Sequence, residues 1–169
     1  MIQIWRSGTQ ERMTEEDFAR LAEEHMDMVY RVCLSVLGHG ADAEDACQNV
    51  MVRLYRAAPA FASEEHARRW LCRVAVNEAR RLLSAPWRRR TVGLDEALLR
   101  QVEPPEDRGV LESVWQLPEK YRVPIYLYYY EGYSTGEIAR ILRCVPSTVQ
   151  TRLARGREKL KQIWKEDEA

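Results

Sequence analysis

Ser147, Thr148, Gln150, Thr151, Arg152, Arg155, Arg157, Lys159 and Lys161 lie close together near the end of the chain. Hydroxyls, an amide and cations on one helix can meet base edges and phosphates in a DNA major groove. The residues around them supply the scaffold. Ile138, Ala139, Ile141 and Leu142 recur at helical spacing, Arg143-Cys144-Val145-Pro146 interrupts them, and Val149 and Leu153 then turn inward. Two short helices around a turn of about four residues form a helix-turn-helix. The plainer alternative is a solvated basic helix that closes a small bundle.

Charge distribution decides between the two. The formal net charge of the 169 residues is zero, so the chain as a whole gives no argument for a polyanionic partner. Locally the picture differs. Residues 66–90 carry eight Arg against one Glu, net +7, and residues 140–161 carry five Arg and two Lys against one Glu, net +6. Acid gathers elsewhere, with net −5 over 11–27 and net −4 over 95–107. A solvated face explains either basic stretch alone better than it explains both, so two contacts on one nucleic acid are expected.

The elements that must hold these residues all read as helices. Thr14 with Asp17 three residues on starts a cap, and Phe18, Leu21, His25, Val29, Val32, Cys33 and Val36 follow at 3–4 spacing up to Gly38-His39-Gly40. A second helix begins around Asp42 and is expected to bury Ala43, Ala46, Cys47, Val50, Leu54 and Tyr55 before Pro59. After a loop over 60–65, a third places Ala67, Trp70, Leu71, Val74 and Ala75 inward and runs to about Leu83. From Ser84 to Arg108 the rhythm dissolves among Pro86, Gly93, Pro104 and Pro105, with room for a brief helix at 94–100. It returns from Gly109 through Val110, Leu111, Val114, Trp115 and Leu117, then Tyr121, Ile125, Leu127 and Tyr128, with Pro124 near the first turn of its helix or kinking it. The expected architecture is all-α: a helical domain over 14–84, a flexible linker over 85–108 that lets the domains move independently, and a helix-turn-helix domain over 109–165.

Cys33, Cys47, Cys72 and Cys144 form no C-x-x-C pair, and three of them fall at apolar helical positions, so neither a metal site nor a disulfide framework is expected. The three His are scattered, and no nucleophile–base pair or phosphate loop is visible. No enzyme, no cofactor and no small-molecule substrate are expected. The opening MIQIWRSGTQER lacks a signal-peptide core, and no run of about 18 apolar residues occurs, which points to the cytoplasm.

Three stretches in this order carry a resemblance: DAEDACQNVMVRLYRA at 42–57, EHARRWLCRVAVNEARRLL at 65–83, and LPEKYRVPIYLYYYEGYSTGEIARIL with STVQTRLARGREKL between 117 and 160. Together they resemble the sigma-70 family, specifically its extracytoplasmic-function group, which keeps the second and fourth conserved domains. The likeness spans about Thr14 to Trp164, and PWRRR at 86–90 is similar to linkers of the group.

The resemblance implies a transcription initiation factor that binds core RNA polymerase and directs it to promoter DNA. It implies that Asp42, Glu44, Asp45, Gln48 and Asn49 face the polymerase, although position 49 is usually acidic in the family pattern. It implies that Arg69, Arg73, Asn77, Arg80 and Arg81 serve the −10 element, Arg81 standing where Asp is frequent. Ser147, Thr148, Gln150, Thr151, Arg152, Arg155 and Arg157 would serve the −35 element. Of these, Gln150, Thr151 and Arg155 are assigned to base edges, and Arg152 and Arg157 to the backbone. Arg143 replaces the turn glycine common in the family, Val145 replaces a common capping residue, and Gln150 replaces a frequent basic one. An anti-sigma factor, often membrane-bound in this group, is the further partner implied. Two other readings remain: a freestanding helix-turn-helix regulator, and a helical adaptor that binds protein and not DNA. A polar face on the Asp42 helix is superfluous in the first, and two basic helices are superfluous in the second.

Overall fold

The computed structural model describes residues 13–57, 61–85 and 108–167, and all regular structure among them is helical. The possible helix at 94–100 lies outside the described residues. Helix α1 (Glu15–Leu37) starts as its sequence dictates: Thr14 Oγ1 accepts from the Asp17 amide at 3.1 Å, and Glu15, Glu16 and Asp17 place negative charge on the first turn. It stops at Gly38, whose φ of 67° suits a residue without a Cβ and whose amide returns to Leu34 O. Helix α2 (Gly40–Ala57) buries Ala43, Ala46, Cys47, Val50, Met51 and Leu54. Helix α3 (Glu64–Leu83) is capped by Ser63, which accepts from the His66 amide at 3.0 Å. These three helices pack on one another around Val29, Val32, Cys33, Leu71, Ala75 and Val76.

The second unit comprises α4 (Arg108–Gln116), α5 (Glu119–Tyr129), α6 (Thr135–Leu142) and α7 (Pro146–Asp167). Pro124 lies inside α5, in the second turn rather than the first. Its missing N–H removes the helical donor that the carbonyl of Lys120, an exposed residue, would otherwise accept from. Ser134 and Glu137 close a reciprocal capping box on α6. The turn after α6 places Arg143 at φ 54°, the sole positive φ of a residue other than Gly among those described. Cys144 N to Ala139 O (2.9 Å) and Arg143 N to Arg140 O (3.4 Å) complete a Schellman turn. Pro146 then opens α7 at the position where its lack of an N–H is harmless. Helix α7 lies very close to α5, because a Cβ on Gly156 would stand 2.9 Å from Ile125 Cγ1. Trp164 Nε1 donates to Ser113 Oγ at 2.9 Å and ties the far end of α7 to α4.

In the structure the two units pack on each other. Helix α5 packs on α1, α6 packs on α3, and the buried apolar residues form one continuous cluster. The joint is Arg122 of α5. Helix α1 has no basic residue in its last turn, and Arg122 brings the missing cation to its C-terminal carbonyls. Its Nη2 donates to Val36 O (3.1 Å), Nε to Ser35 O, and Nη1 to Trp115 O (3.1 Å) and Leu117 O (3.2 Å). Burial pulls its pKa below the usual arginine value.

Candidate functional site

Three polar surfaces carry the residues singled out by sequence. On α2, Glu44, Asp45 and Gln48 are exposed, and Asn49, also exposed, turns its amide toward α3. Tyr55, expected in the core, is instead 58% exposed, with its ring edge-on to Phe18, and Val52 beside it is also exposed. Helix α2 touches core on one side only, and Leu54 already fills that side at this turn. The outer face is therefore acidic at its start and apolar toward its end. Asp42 sits apart, half-buried, within 3.1 Å of His39 Nδ1.

Asn49 and Arg81 meet on Glu78. This glutamate, absent from the sequence assignments, has a side chain only 1% exposed. Asn49 Nδ2 donates to its Oε1 at 3.0 Å, Arg53 Nη2 stands 2.9 Å from Oε2, and Arg81 contacts both oxygens. Burial pushes the Glu78 carboxyl up, but the Arg81 hydrogen bond, the Arg53 charge and the Asn49 amide together outweigh it and hold the group below the usual carboxylate range. Thus α2 and α3 are bolted together by a buried anion whose donors come from both.

The remaining basic residues of α3 look toward the second unit. Arg69 Nε lies 3.2 Å from Glu65 Oε1 and 3.5 Å from Glu137 Oε1. Arg80 pairs with Glu119 at 3.1 Å. Arg68 donates to Glu131 O at 2.8 Å and to its Oε2 at 3.0 Å. Arg73 is exposed and Asn77 is half-buried. Arg73 lines a cleft of about 180 Å³ together with His66, Arg69, Trp70, Glu137 and Arg140. Trp70 is half-buried against Phe61 rather than fully in the core.

On α7, Val149, Leu153, Gly156 and Leu160 are buried, which leaves the opposite side to solvent. Ser147, Thr148, Thr151, Arg152 and Arg155 line an open groove of about 280 Å³ with Lys120 and Tyr121 of α5. The Thr151 hydroxyl donates to Ser147 O at 2.9 Å, which fixes its rotamer. Gln150 is exposed but lies on another line of the helix. Seven residues separate it from Arg157, almost two full turns, so these two share an edge while Arg155 joins Thr151 and Arg152. Arg157 Nη1 donates to the Tyr129 hydroxyl at 3.3 Å.

Among the described residues, Glu24, His25 and Glu64 offer ligand atoms within 4.8 Å of one another. Glu24 is already paired with Arg20 at 3.1 Å, and the His25 ring is buried, which lowers its pKa. Cys33, Cys47 and Cys72 are buried, and burial pushes Cys47 up to about 11 and Cys72 to about 12, far from thiolate chemistry at neutral pH.

Comparison with known proteins identifies the arrangement. Residues 21–89 match the Sigma-70 region 2 family and residues 109–160 match Sigma-70, region 4. The chain is 29% identical over 166 residues to the ECF RNA polymerase sigma factor SigW of Bacillus subtilis, covering 88% of this chain and 89% of that one. It is 33% identical over 135 residues to the ECF RNA polymerase sigma-E factor of Haemophilus influenzae, covering 69% and 71%. Among solved structures, the sigma factor RpoE of Bartonella quintana, in complex with the anti-sigma factor NepR, matches with a TM-score of 0.71 at 19% identity, covering 89% of this chain and 98% of that one. CnrH, in complex with the cytosolic domain of CnrY, matches at 0.67 and 23%, with 91% of each chain covered. At these identities the structures show the fold alone. The two matched regions and the curated relatives show more: the chain belongs to the extracytoplasmic-function group of the sigma-70 family, transcription initiation factors that direct RNA polymerase to promoters.

Proposed function

We propose a division of that task among three helices. The first domain, residues 14–84, docks on core polymerase through Glu44, Asp45 and Gln48 of α2, with Val52 and Tyr55 extending the contact. Carboxylates on a helix face give a specific, salt-sensitive interface with basic residues of a partner, and the exposed apolar pair adds area. The same domain contacts the −10 element through α3, where Arg73 borders the cleft beside Trp70 and half-buried Asn77 lies one turn further on. The second domain, residues 109–165, reads the −35 element with α7. One observation carries this reading most directly. Val149, Leu153 and Gly156 of α7 are buried, Gly156 close against α5, while Ser147, Gln150, Thr151 and Arg155 stand exposed. The protein acts in the cytoplasm, does no covalent chemistry, and is restrained by an anti-sigma factor, as RpoE is bound by NepR.

Run-off transcription with purified core polymerase and a randomised promoter library tests the whole reading, since selected templates should share −10 and −35 sequences. Asp45→Lys with Gln48→Ala should weaken core binding in a pull-down while circular dichroism stays unchanged. Undiminished core binding by that variant removes α2 from the interface.

A further inference from the structure

His25 lies on the apolar stripe of α1, but its imidazole is not an apolar group. The residue is 6% exposed, and its Nε2 is buried with no hydrogen-bond partner among the described residues. Buried polar atoms are nearly always satisfied, and one that is not calls for an explanation, an ion among them. Two carboxylates stand beside this ring. Glu24 precedes it on α1, Glu64 belongs to the first turn of α3, and the ligand atoms of the three residues lie within 4.8 Å of one another. Both glutamates are exposed at the surface, so an ion could reach the ring between them.

We infer that Glu24, His25 and Glu64 form a divalent-cation site that ties α1 to the start of α3. One imidazole and two carboxylates suit Zn²⁺ and its first-row neighbours, whereas Ca²⁺ and Mg²⁺ take oxygen alone. Bonds of about 2.0–2.2 Å require the donors to draw together by up to about 1 Å, and three protein ligands leave a position for water. The buried ring is the fixed member. Glu24 and Glu64 are exposed and can close on it by side-chain rotation. Two cations also face the ring, Arg20 and Arg68. Arg68 is committed to Glu131 at 3.0 Å. Arg20 holds Glu24 in an i,i+4 pair whose side chains are both 39% exposed, a weak contact that a metal displaces. The ion would pin the first turn of α3, whose cap Ser63 and preceding Phe61 stand next to the cleft of Trp70. Cysteine spacing could not announce such a site, because its ligands come from two helices and none is a thiol.

The test uses the full chain, stripped with EDTA and transferred to chelator-free buffer, with Zn²⁺ as the probe. At about a hundredfold excess over its Kd, Zn²⁺ should raise Tm by about 5–11 °C. Isothermal titration calorimetry gives the affinity and should show about one ion per chain. Glu24→Gln and Glu64→Gln alter exposed residues, so each should fold by circular dichroism. Each should weaken Zn²⁺ binding about 10-fold or more, since losing a ligand costs at least what losing its support does. His25→Gln should abolish binding, and if that buried change unfolds the chain the two glutamate variants decide. Glu112→Gln on α4 and His66→Gln outside the site should stay within about twofold of wild type, because distant charges are screened. Co²⁺ reports the donors: d–d bands without a thiolate charge-transfer band fit this site, whereas such a band places the ion on a cysteine and overturns it. No rise in Tm overturns the site as well. So does Zn²⁺ binding that survives undiminished in both glutamate variants, or that is lost with His66.

Discussion

Replacing Glu78 by Gln keeps the volume of a buried side chain and removes its charge, so it isolates what the anion contributes. Four donor contacts converge on the carboxylate, from Asn49, Arg53 and two nitrogens of Arg81, Nε and Nη2. A hydrogen bond to a charged group contributes about 1.5–3 kcal/mol where it is buried. The Arg53 and Arg81 side chains are 53% and 59% exposed, so water recovers much of their loss and each ion pair falls toward about 1 kcal/mol. The Asn49 bond adds about 1 kcal/mol, and the new amide NH₂ must point at one of the existing donors. The sum is about 3 kcal/mol, which for a chain of this size lowers Tm by roughly 6–12 °C.

The pH dependence follows from the direction of the shift. The folded carboxyl titrates below its unfolded counterpart, near 4.3 for a model glutamate. Its contribution is therefore complete above that value and is lost as pH falls through the lower folded pKa. Urea denaturation of wild type and Glu78→Gln should show a constant gap from neutral pH down to about 5, closing below about 4. A gap under about 0.5 kcal/mol at neutral pH, within the range of ordinary surface changes, would refute the bolt. So would a gap that widens in acid.

Three further substitutions test the second unit. Arg143→Gly relieves a left-handed backbone at an exposed residue and should stabilise by about 0.5–1 kcal/mol in thermal unfolding; a fall in Tm would assign the Arg143 side chain a structural partner. Gly156→Ala gains about 1 kcal/mol of helix propensity but drives a methyl to within 2.9 Å of Ile125, so a net loss of about 1–2 kcal/mol is expected in urea, and stabilisation would mean that α5 and α7 separate easily. Gln150→Arg should shift −35 preference toward guanine by about 1–3 kcal/mol at one position, whereas Arg157→Ala should weaken all sequences alike and lower the salt slope by about one unit. A library selection in which Arg157→Ala changes the sequence and Gln150→Arg does not would exchange their roles.

What could be read from the chain was local. The Thr14 cap, the stop at Gly38, the Pro146 start and the strained turn at Arg143 each depend on residues a few positions apart, and the structure has all four. Periodicity placed most of the core, but it assigned Tyr55 inward because a tyrosine at the edge of an apolar stripe carries no mark of which neighbour is missing. Arg122 was beyond reach for the same reason, since its partner Ser35 is 87 residues away. The only trace was negative: a long α1 with no cation in its last turn.

The charge tally misled in a more instructive way. Counting residues 66–90 as net +7 treats each arginine as available to DNA. Among the described residues of that stretch, Arg68, Arg69, Arg80 and Arg81 each lie in an ion pair, and Arg73 stands outside these pairs, on the open cleft. Two of the departures from the family pattern, Asn49 and Arg81, likewise turn out to be one feature, two donors for the same buried Glu78. Sequence density of charge thus counts cations without their partners. The field around α3 is set by where Glu119, Glu131 and Glu137 fold, and no spacing rule along α3 contains that information.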